Sequence, residues 1–153
     1  MAKASQCKSK WVSWRGYSES NGKADRYIIQ PWNKATGCKP PATAKKNPWC
    51  AIAVASCLIQ IHGSGYSKAS TCKSQKAYYK KHKRWIPAGQ RPHIGDVIFV
   101  TGHEGTVTST SPNGAGTFYS GNCKNSTLPS KFNWKTCKWG KKKVLGYGRP
   151  IWK

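Results

Sequence analysis

The chain has 153 residues and a mass of 16.9 kDa, enough for one domain with its own hydrophobic core. Lysine and arginine total 27 against four acidic residues, which gives a formal net charge of +23. Acids that are so few and so scattered argue against a lysozyme-like carboxylate pair and against a calcium or two-metal site. We therefore expect neither a metal nor a cofactor, and a surface that attracts polyanions.

No apolar run is long enough to span a bilayer. The longest, residues 51–61, is short and is interrupted by Ser56 and Gln60. The N-terminal residues lack the apolar core of a secretory signal peptide. We expect a protein without a membrane span that acts outside the cell or on a cell wall and is released by a route other than a visible signal peptide.

Cysteine is abundant for a protein of a reducing compartment, with seven residues in the chain. The odd number leaves at least one thiol without an intrachain partner. The sequence has no C-x-x-C pair and no spacing typical of a zinc site. It does not choose among the possible disulfide pairings.

The N-terminal half of the chain is predicted to be helical. We interpret residues 1–21, which are polar and basic, as an arm or cap, and residues 22–153 as the remaining domain. Residues 25–34 predict a short helix that Pro31 would break or kink, and residues 36–47 predict a loop. The clearest helix begins after Asn47, a good N-cap, with Pro48 at its first position, and Gly63 ends it after His62; its apolar residues form one stripe. A second helix is predicted for residues 71–83.

The pattern changes to strands after Pro87. Residues 97–100, 104–110 and 117–119 predict strands, and Ser-Pro-Asn-Gly at residues 111–114 predicts the turn between the last two. We interpret residues 121–143 as a long basic excursion and residues 144–151 as a strand that completes the sheet. Helices followed by an antiparallel sheet predict an α+β fold.

Cys50 is the first candidate for chemistry because it lies in the first turn of the clearest helix. The positive end of the helix dipole and the free backbone N–H groups there favour a thiolate and could receive a developing oxyanion. The alternative is a buried structural cysteine, since most cysteines lie in cores or bridges. Cys72, near the start of the second predicted helix, is an alternative nucleophile.

Motifs further along the chain strengthen the case for Cys50. The motifs are NPWCA at residues 47–51, IGDVIFV at 94–100, TGHEGTV at 101–107, TFYSGN at 117–122 and LGYGRP at 145–150. In this order they resemble the CHAP family (cysteine, histidine-dependent amidohydrolases/peptidases) of the papain-like superfamily, which also includes the NlpC-type hydrolases. The resemblance covers about residues 47–151 and is to lysins of Gram-positive bacteria and their phages. It implies a papain-like α+β domain in which N-terminal helices pack on a small antiparallel β-sheet.

Residue by residue, the resemblance assigns Cys50 as nucleophile and His103 as general base. Asn122 matches the Asn of a Glu-Gly-Asn segment that orients the base in the family, and Ser120 stands where the family has Glu. Either side chain could orient the imidazole, and a strand without a bulge at Gly121 would place both on one face. We expect the substrate to contact four further residues, Trp49, His93, Gly102 and Tyr119. His93 is also the reserve base, and we interpret Asp96 as a turn-capping residue.

The predicted activity is hydrolysis of a peptide or amide bond of bacterial peptidoglycan by an activated thiol. We expect a monomer whose partners are peptidoglycan and the anionic polymers of the wall. No motif for specific nucleic-acid recognition occurs. Two alternatives remain open: a basic module that binds polyanions or nucleic acid, and a disulfide-rich secreted antimicrobial protein without catalysis. A single fast-reacting thiol favours the enzyme, and salt-sensitive retention on DNA without such a thiol favours the binding module.

Overall fold

The computed structural model describes residues 2–153, which contain four α-helices and seven β-strands. The helices are α1 (Ala4–Ser13), α2 (Gln30–Thr36), α3 (Cys50–Gln60) and α4 (Cys72–Lys81), and a short π-helical segment, Asp25–Ile29, leads directly into α2. The strands are β1 (Trp85–Pro87), β2 (Val97–Val100), β3 (His103–Thr110), β4 (Ala115–Cys123), β5 (Ser126–Asn133), β6 (Lys138–Trp139) and β7 (Lys142–Gly148).

Six of the strands in this part of the chain form a closed antiparallel barrel. Their order is β7-β2-β3-β4-β5-β6, and β6 pairs back with β7. Lys138 closes the ring, because it pairs with Asn133 of β5 on one side and with Lys143 of β7 on the other. The extra strand β1 pairs with the other end of β7. The papain-like prediction of helices on a small antiparallel sheet is therefore wrong, because the sheet closes on itself.

The residues that close the barrel come from the segment interpreted as a basic excursion. Residues 121–143 contain the end of β4, all of β5 and the two residues of β6. Most side chains of β5 are only half-buried, and β6 is too short to show any periodicity. Their strand structure depends on pairing with neighbours that are distant in the chain, which a local pattern does not reveal.

The barrel separates two hydrophobic cores. One fills its interior and contains Ile98, Val100, Val107, Phe118, Phe132, Val144 and Tyr147. The other lies between the barrel and the helices, where Val97, Phe99 and Tyr119 pack with residues of all four helices. Strand β2 is buried on both faces and supplies alternate residues to the two cores, as expected from the period of a strand.

Helix α3 occupies the centre of the second core, and residues 50–58 are all buried. It confirms the predicted helix but begins at Cys50, two residues after the predicted first position, Pro48. Asn47 does not cap it, because its side-chain oxygen accepts the backbone N–H of Thr43 at 2.9 Å instead. On the barrel side, a Cβ at Gly121 would lie 2.7 Å from the ring of Trp49 and from Cβ of Ala53. Glycine thus lets β4 lie directly against the start of α3.

The N-terminal segment interpreted as an arm or cap contributes to the same core. It is helical over α1, where Cys7 and Trp11 have no exposed surface. Pro31 lies at the start of α2, where the π-helical segment changes to an α-helix. Within residues 2–153, no helix combines the length and the apolar character needed to cross a membrane.

Candidate active site

Two cysteines meet at the starts of two helices. Cys50 is the first residue of α3 and Cys72 the first residue of α4, and their Sγ atoms lie 3.6 Å apart. Cys50 is 7% exposed, whereas Cys72 is half-buried. Both thiols therefore lie at the positive ends of helix dipoles, beside backbone N–H groups that have no partner within the helix.

A buried amide fixes the two helices to each other at this point. The side chain of Gln75 in α4 donates one hydrogen bond to the carbonyl of Ala51, next to Cys50, at 2.8 Å. It donates another to the carbonyl of Ala69 at 2.7 Å. The hydroxyl of Thr71 caps α4 by accepting the N–H of Ser74 at 3.2 Å. The separation of Cys50 and Cys72 is thus set by hydrogen bonds and not by side-chain packing alone.

The surroundings of Cys50 favour its thiolate. The neighbouring thiol of Cys72 lowers the pKa of Cys50 most, and burial opposes it. A hydrogen bond and the charge of His103, together with the backbone N–H of Glu104, lower it further, so that the pKa of Cys50 falls to about 4. The pKa of Cys72 shifts in the opposite direction, chiefly because its thiol donates to Cys50 and because it is partly buried. Cys50 is therefore the nucleophile of the pair.

His103 is the first residue of β3 and lies close enough to Cys50 to lower the pKa of its thiol. Its ring stacks on the indole of Trp139 with a centroid separation of 5.6 Å and an interplanar angle of 21°. Nε2 of His103 is buried and completes no hydrogen bond with any residue from 2 to 153. The imidazole thus has a nitrogen free to exchange a proton with a group that enters the site.

Glu104, the next residue of β3, was not among the residues predicted for the site. It pairs with Phe99, which packs against the helices, so its side chain faces the two cysteines. It has no exposed surface, and neither carboxyl oxygen has a partner among the described residues. Burial, followed by the charge of Cys50, raises the pKa of Glu104 well above its usual value. Burial thus favours the neutral form of this acid, next to a thiolate.

The two predicted orienting residues, Ser120 and Asn122, lie on β4. In the part of the chain that the structure describes, neither forms a hydrogen bond to His103. Ser120 is fully buried, and its hydroxyl lacks a partner there, as does Nε2 of His103. A bulge follows Ser120 and gives Asn122 a φ of 57°, so the simple alternation that would place both residues on one face does not hold.

The residues expected to contact substrate have different environments. Trp49 is fully buried, and its indole N–H donates to the carboxylate of Glu19 at 3.1 Å. Tyr119 is also buried, with 8% of its surface exposed. Gly102 and His93 are exposed, Gly102 in the turn before β3. The carboxylate of Asp96 accepts the N–H of His93 at 2.8 Å and forms a two-bonded ion pair with Arg149, so Asp96 caps this turn as predicted.

Comparisons with known proteins add no relative. No family model, no curated protein and no solved structure matches the chain. Within residues 2–153, no group of three or more His, Cys, Asp or Glu side chains is placed to hold a metal ion. The chemical groups of the site are an acidic thiol, a second thiol, an imidazole and a buried carboxyl group.

Proposed function

We propose that the protein is a cysteine-dependent hydrolase that cleaves an amide bond of bacterial peptidoglycan. The observation that carries the proposal is the thiol of Cys50, which lies on the first residue of a buried helix, has a pKa of about 4 and adjoins His103. A thiolate with an acid-base partner is the usual requirement for attack on an amide carbonyl. A cysteine that served packing alone would have its pKa raised by burial.

The reaction follows from the positions of these groups. The Cys50 thiolate attacks the carbonyl carbon of the scissile amide, and N–H groups at the start of α3 receive the oxyanion. His103 holds the proton that Cys50 has released, gives it to the leaving amine and then takes one from the water that cleaves the acyl-enzyme. The stacked ring of Trp139 limits the rotation of this imidazole.

The peptidoglycan substrate is supported by the motif resemblance and by the charge. Cell-wall polymers of Gram-positive bacteria are anionic, and the chain has a net charge of +23. Exposed lysines lie beside the site, at positions 138 and 141–143. Lys142 places its ammonium 5.4 Å from the centroid of Trp139, the ring on which His103 stacks. An anionic polymer held by these lysines would lie close to the reactive groups.

Digestion of purified cell walls tests the activity. Walls from several Gram-positive species are incubated with the protein, and the released muropeptides are analysed by mass spectrometry. New amino or carboxyl ends identify the bond that is cut, and the Cys50→Ala variant should release none. Unchanged muropeptide profiles on every wall, together with salt-sensitive retention on DNA, would favour the polyanion-binding alternative instead.

A comparison of salt dependence tests the role of the charge. Exposed charges are screened over about 8 Å at physiological ionic strength and over about 3 Å in 1 M salt. Adsorption to walls should therefore weaken steeply as salt is added. Cleavage of a short, soluble peptide fragment of the wall should change much less, because the contact between Cys50 and His103 is local. Superimposable curves would show that the charge acts in the cleavage step and not in capture of the wall.

A further inference from the structure

The hydrolase proposed above needs only one thiol, yet the site contains two. Cys72 lies 3.6 Å from Cys50, measured between the Sγ atoms, and is the more exposed of the two. Gln75 maintains this separation, because its side chain joins α4 to the backbone carbonyl of Ala51, next to Cys50, by a hydrogen bond. A neighbouring thiol in this position can reach the sulfur of Cys50 without movement of either helix.

We propose that Cys50 and Cys72 form a redox-active dithiol that reduces small organic disulfides and closes to an intramolecular Cys50–Cys72 disulfide. The sulfur atoms have to approach by about 1.5 Å to reach the covalent separation. The inference does not depend on hydrolysis of peptidoglycan, because it needs only the two thiols and their spacing.

The exchange has two steps. The Cys50 thiolate attacks one sulfur of the organic disulfide, forms a mixed disulfide with it and releases the other half as a thiolate. The thiol of Cys72 then loses its proton to that thiolate and attacks Sγ of Cys50, and the second half of the reagent leaves. Two electrons pass from the protein to the reagent, which is reduced to two thiols, while the protein gains one disulfide.

The surroundings assign different roles to the two thiols. Cys50 has the acidic thiol, adjoins His103 and receives the backbone N–H of Glu104, so it makes the first attack. Cys72 donates its proton to Cys50 and is partly buried, and both effects keep it protonated until Cys50 has reacted. The closed disulfide would also remove the nucleophile that the proposed hydrolase uses. An oxidised protein would then be inactive on cell walls until a reductant reopened the pair.

The molecule contains a matched control. Cys7 and Cys57 have their Sγ atoms 3.5 Å apart, but neither residue has any exposed surface. A disulfide reagent in solution cannot reach this pair while the protein is folded. Reaction at Cys50 and Cys72 without reaction at Cys7 and Cys57 would therefore show that access and acidity matter, and not separation alone.

The experiment treats the fully reduced, folded protein with 2-hydroxyethyl disulfide and stops the reaction by acid at successive times. Intact mass and peptide mapping then identify the products. In the wild type we expect a peptide pair linked through Cys50 and Cys72, with the loss of two hydrogen atoms and no lasting adduct at either residue. In Cys72→Ser we expect a stable hydroxyethylthio adduct on Cys50. In Cys50→Ser, Cys72 should react at least about tenfold more slowly than Cys50 does in the wild type.

Two results would overturn the proposal: a stable adduct on Cys50 in the wild type, or a first attack by Cys72. Circular dichroism establishes that each variant is folded, and Cys72→Ala replaces Cys72→Ser if the serine variant is not. The readout is mass and not activity, so the two proposals can fail separately. A chain that closes the disulfide but leaves walls intact would contradict the hydrolase alone. A chain that cleaves walls but accumulates the mixed disulfide would contradict the exchange alone.

Discussion

The two close thiol pairs of this protein have nearly the same separation and opposite surroundings. The Sγ atoms are 3.6 Å apart in Cys50–Cys72 and 3.5 Å apart in Cys7–Cys57. Helix α3 contributes one cysteine to each pair, at its first residue and in its interior. Burial raises the pKa of Cys57 well above its usual value, whereas polar neighbours overcome burial at Cys50 and lower its pKa. A second thiol at this distance therefore does not by itself make a cysteine acidic, since Cys72 lowers the pKa of Cys50 whereas Cys7 raises that of the fully buried Cys57.

Replacement of one cysteine from each pair should separate their roles most clearly. Cys50→Ala should reduce the release of muropeptides by at least about a thousandfold, because it removes the nucleophile. Cys57→Ala should leave the rate within a fewfold of the wild type, since Cys57 contacts α1 and not the site. Initial rates on walls, normalised to the folded fraction of each variant, provide the measurement. Equal losses in the two variants would mean that the pairs do not differ in function.

Replacement of His103, which adjoins only the Cys50–Cys72 pair, should have the next largest effect on activity. We expect His103→Ala to slow wall hydrolysis by about a hundredfold or more, because the leaving amine loses its proton donor. The variant should also raise the pKa of Cys50, since His103 lowers it by hydrogen bonding and by charge. Rates of alkylation by iodoacetamide as a function of pH report that pKa.

His82→Ala is the matched control for His103→Ala. His82 is exposed at the end of α4 and stacks on Tyr78, so its replacement removes a histidine outside the site. We expect neither the hydrolysis rate nor the alkylation profile of Cys50 to change. A His103→Ala protein with a wild-type profile would remove the imidazole from the proposed mechanism.

Alkylation of the reduced wild type compares the two pairs directly. An ordinary thiol loses about tenfold in thiolate for each pH unit below its pKa. With a pKa of about 4, Cys50 is ionised throughout the range from pH 6 to 8, so its rate should change by less than about twofold. Cys57 should remain unmodified until the protein unfolds, because it is fully buried. Peptide mapping after a short pulse of iodoacetamide measures both residues, and a tenfold rise at Cys50 per pH unit would contradict the acidic thiol.

The sequence predicted those features of the two pairs and their surroundings that depend on local residue patterns. The apolar stripe of α3 placed Cys50 at a helix start, and the buried run of residues 97–100 was confirmed as β2. The partner of Cys50 was not predictable in this way, because the intervening loop and the hydrogen bonds of Gln75 bring Cys72 to it. Closure of the barrel was missed for a similar reason, since β6 is defined only by pairing with β5 and β7.

Glu104 was overlooked although the sequence contained a signal for it. The residue is the first of a predicted strand, whose alternate side chains face the two sides of the sheet. A carboxyl group on the side that packs against the helices is costly as a charge without a partner. Its raised pKa follows from that position, and the Cys7–Cys57 pair has no comparable neighbour within hydrogen-bonding reach among the described residues.

Replacement of the buried acid Glu104 should have the smallest of the predicted effects, and that effect should be on stability. Because the pKa of Glu104 is raised in the folded protein, the unfolded chain releases a proton above about pH 4.5 that the folded chain retains. The free energy of unfolding then falls with rising pH by up to about 1.4 kcal/mol per unit, until Glu104 ionises in the fold. Cys50 acts in the opposite direction between pH 4 and 9, since its folded pKa of about 4 lies below the ordinary value of 9.0. In the wild type, the two slopes partly cancel.

Glu104→Gln removes the falling slope and keeps the rising one. The variant should therefore gain stability relative to the wild type as the pH is raised from 5 to 7, by no more than about 1.4 kcal/mol per pH unit. Urea unfolding of both proteins at several pH values, with reductant present so that the thiols stay reduced, measures the difference. Parallel stability curves would mean that Glu104 ionises at its ordinary pKa despite its burial. A difference that grows with pH would establish that a neutral acid lies beside the thiolate, a combination that only the Cys50–Cys72 pair possesses.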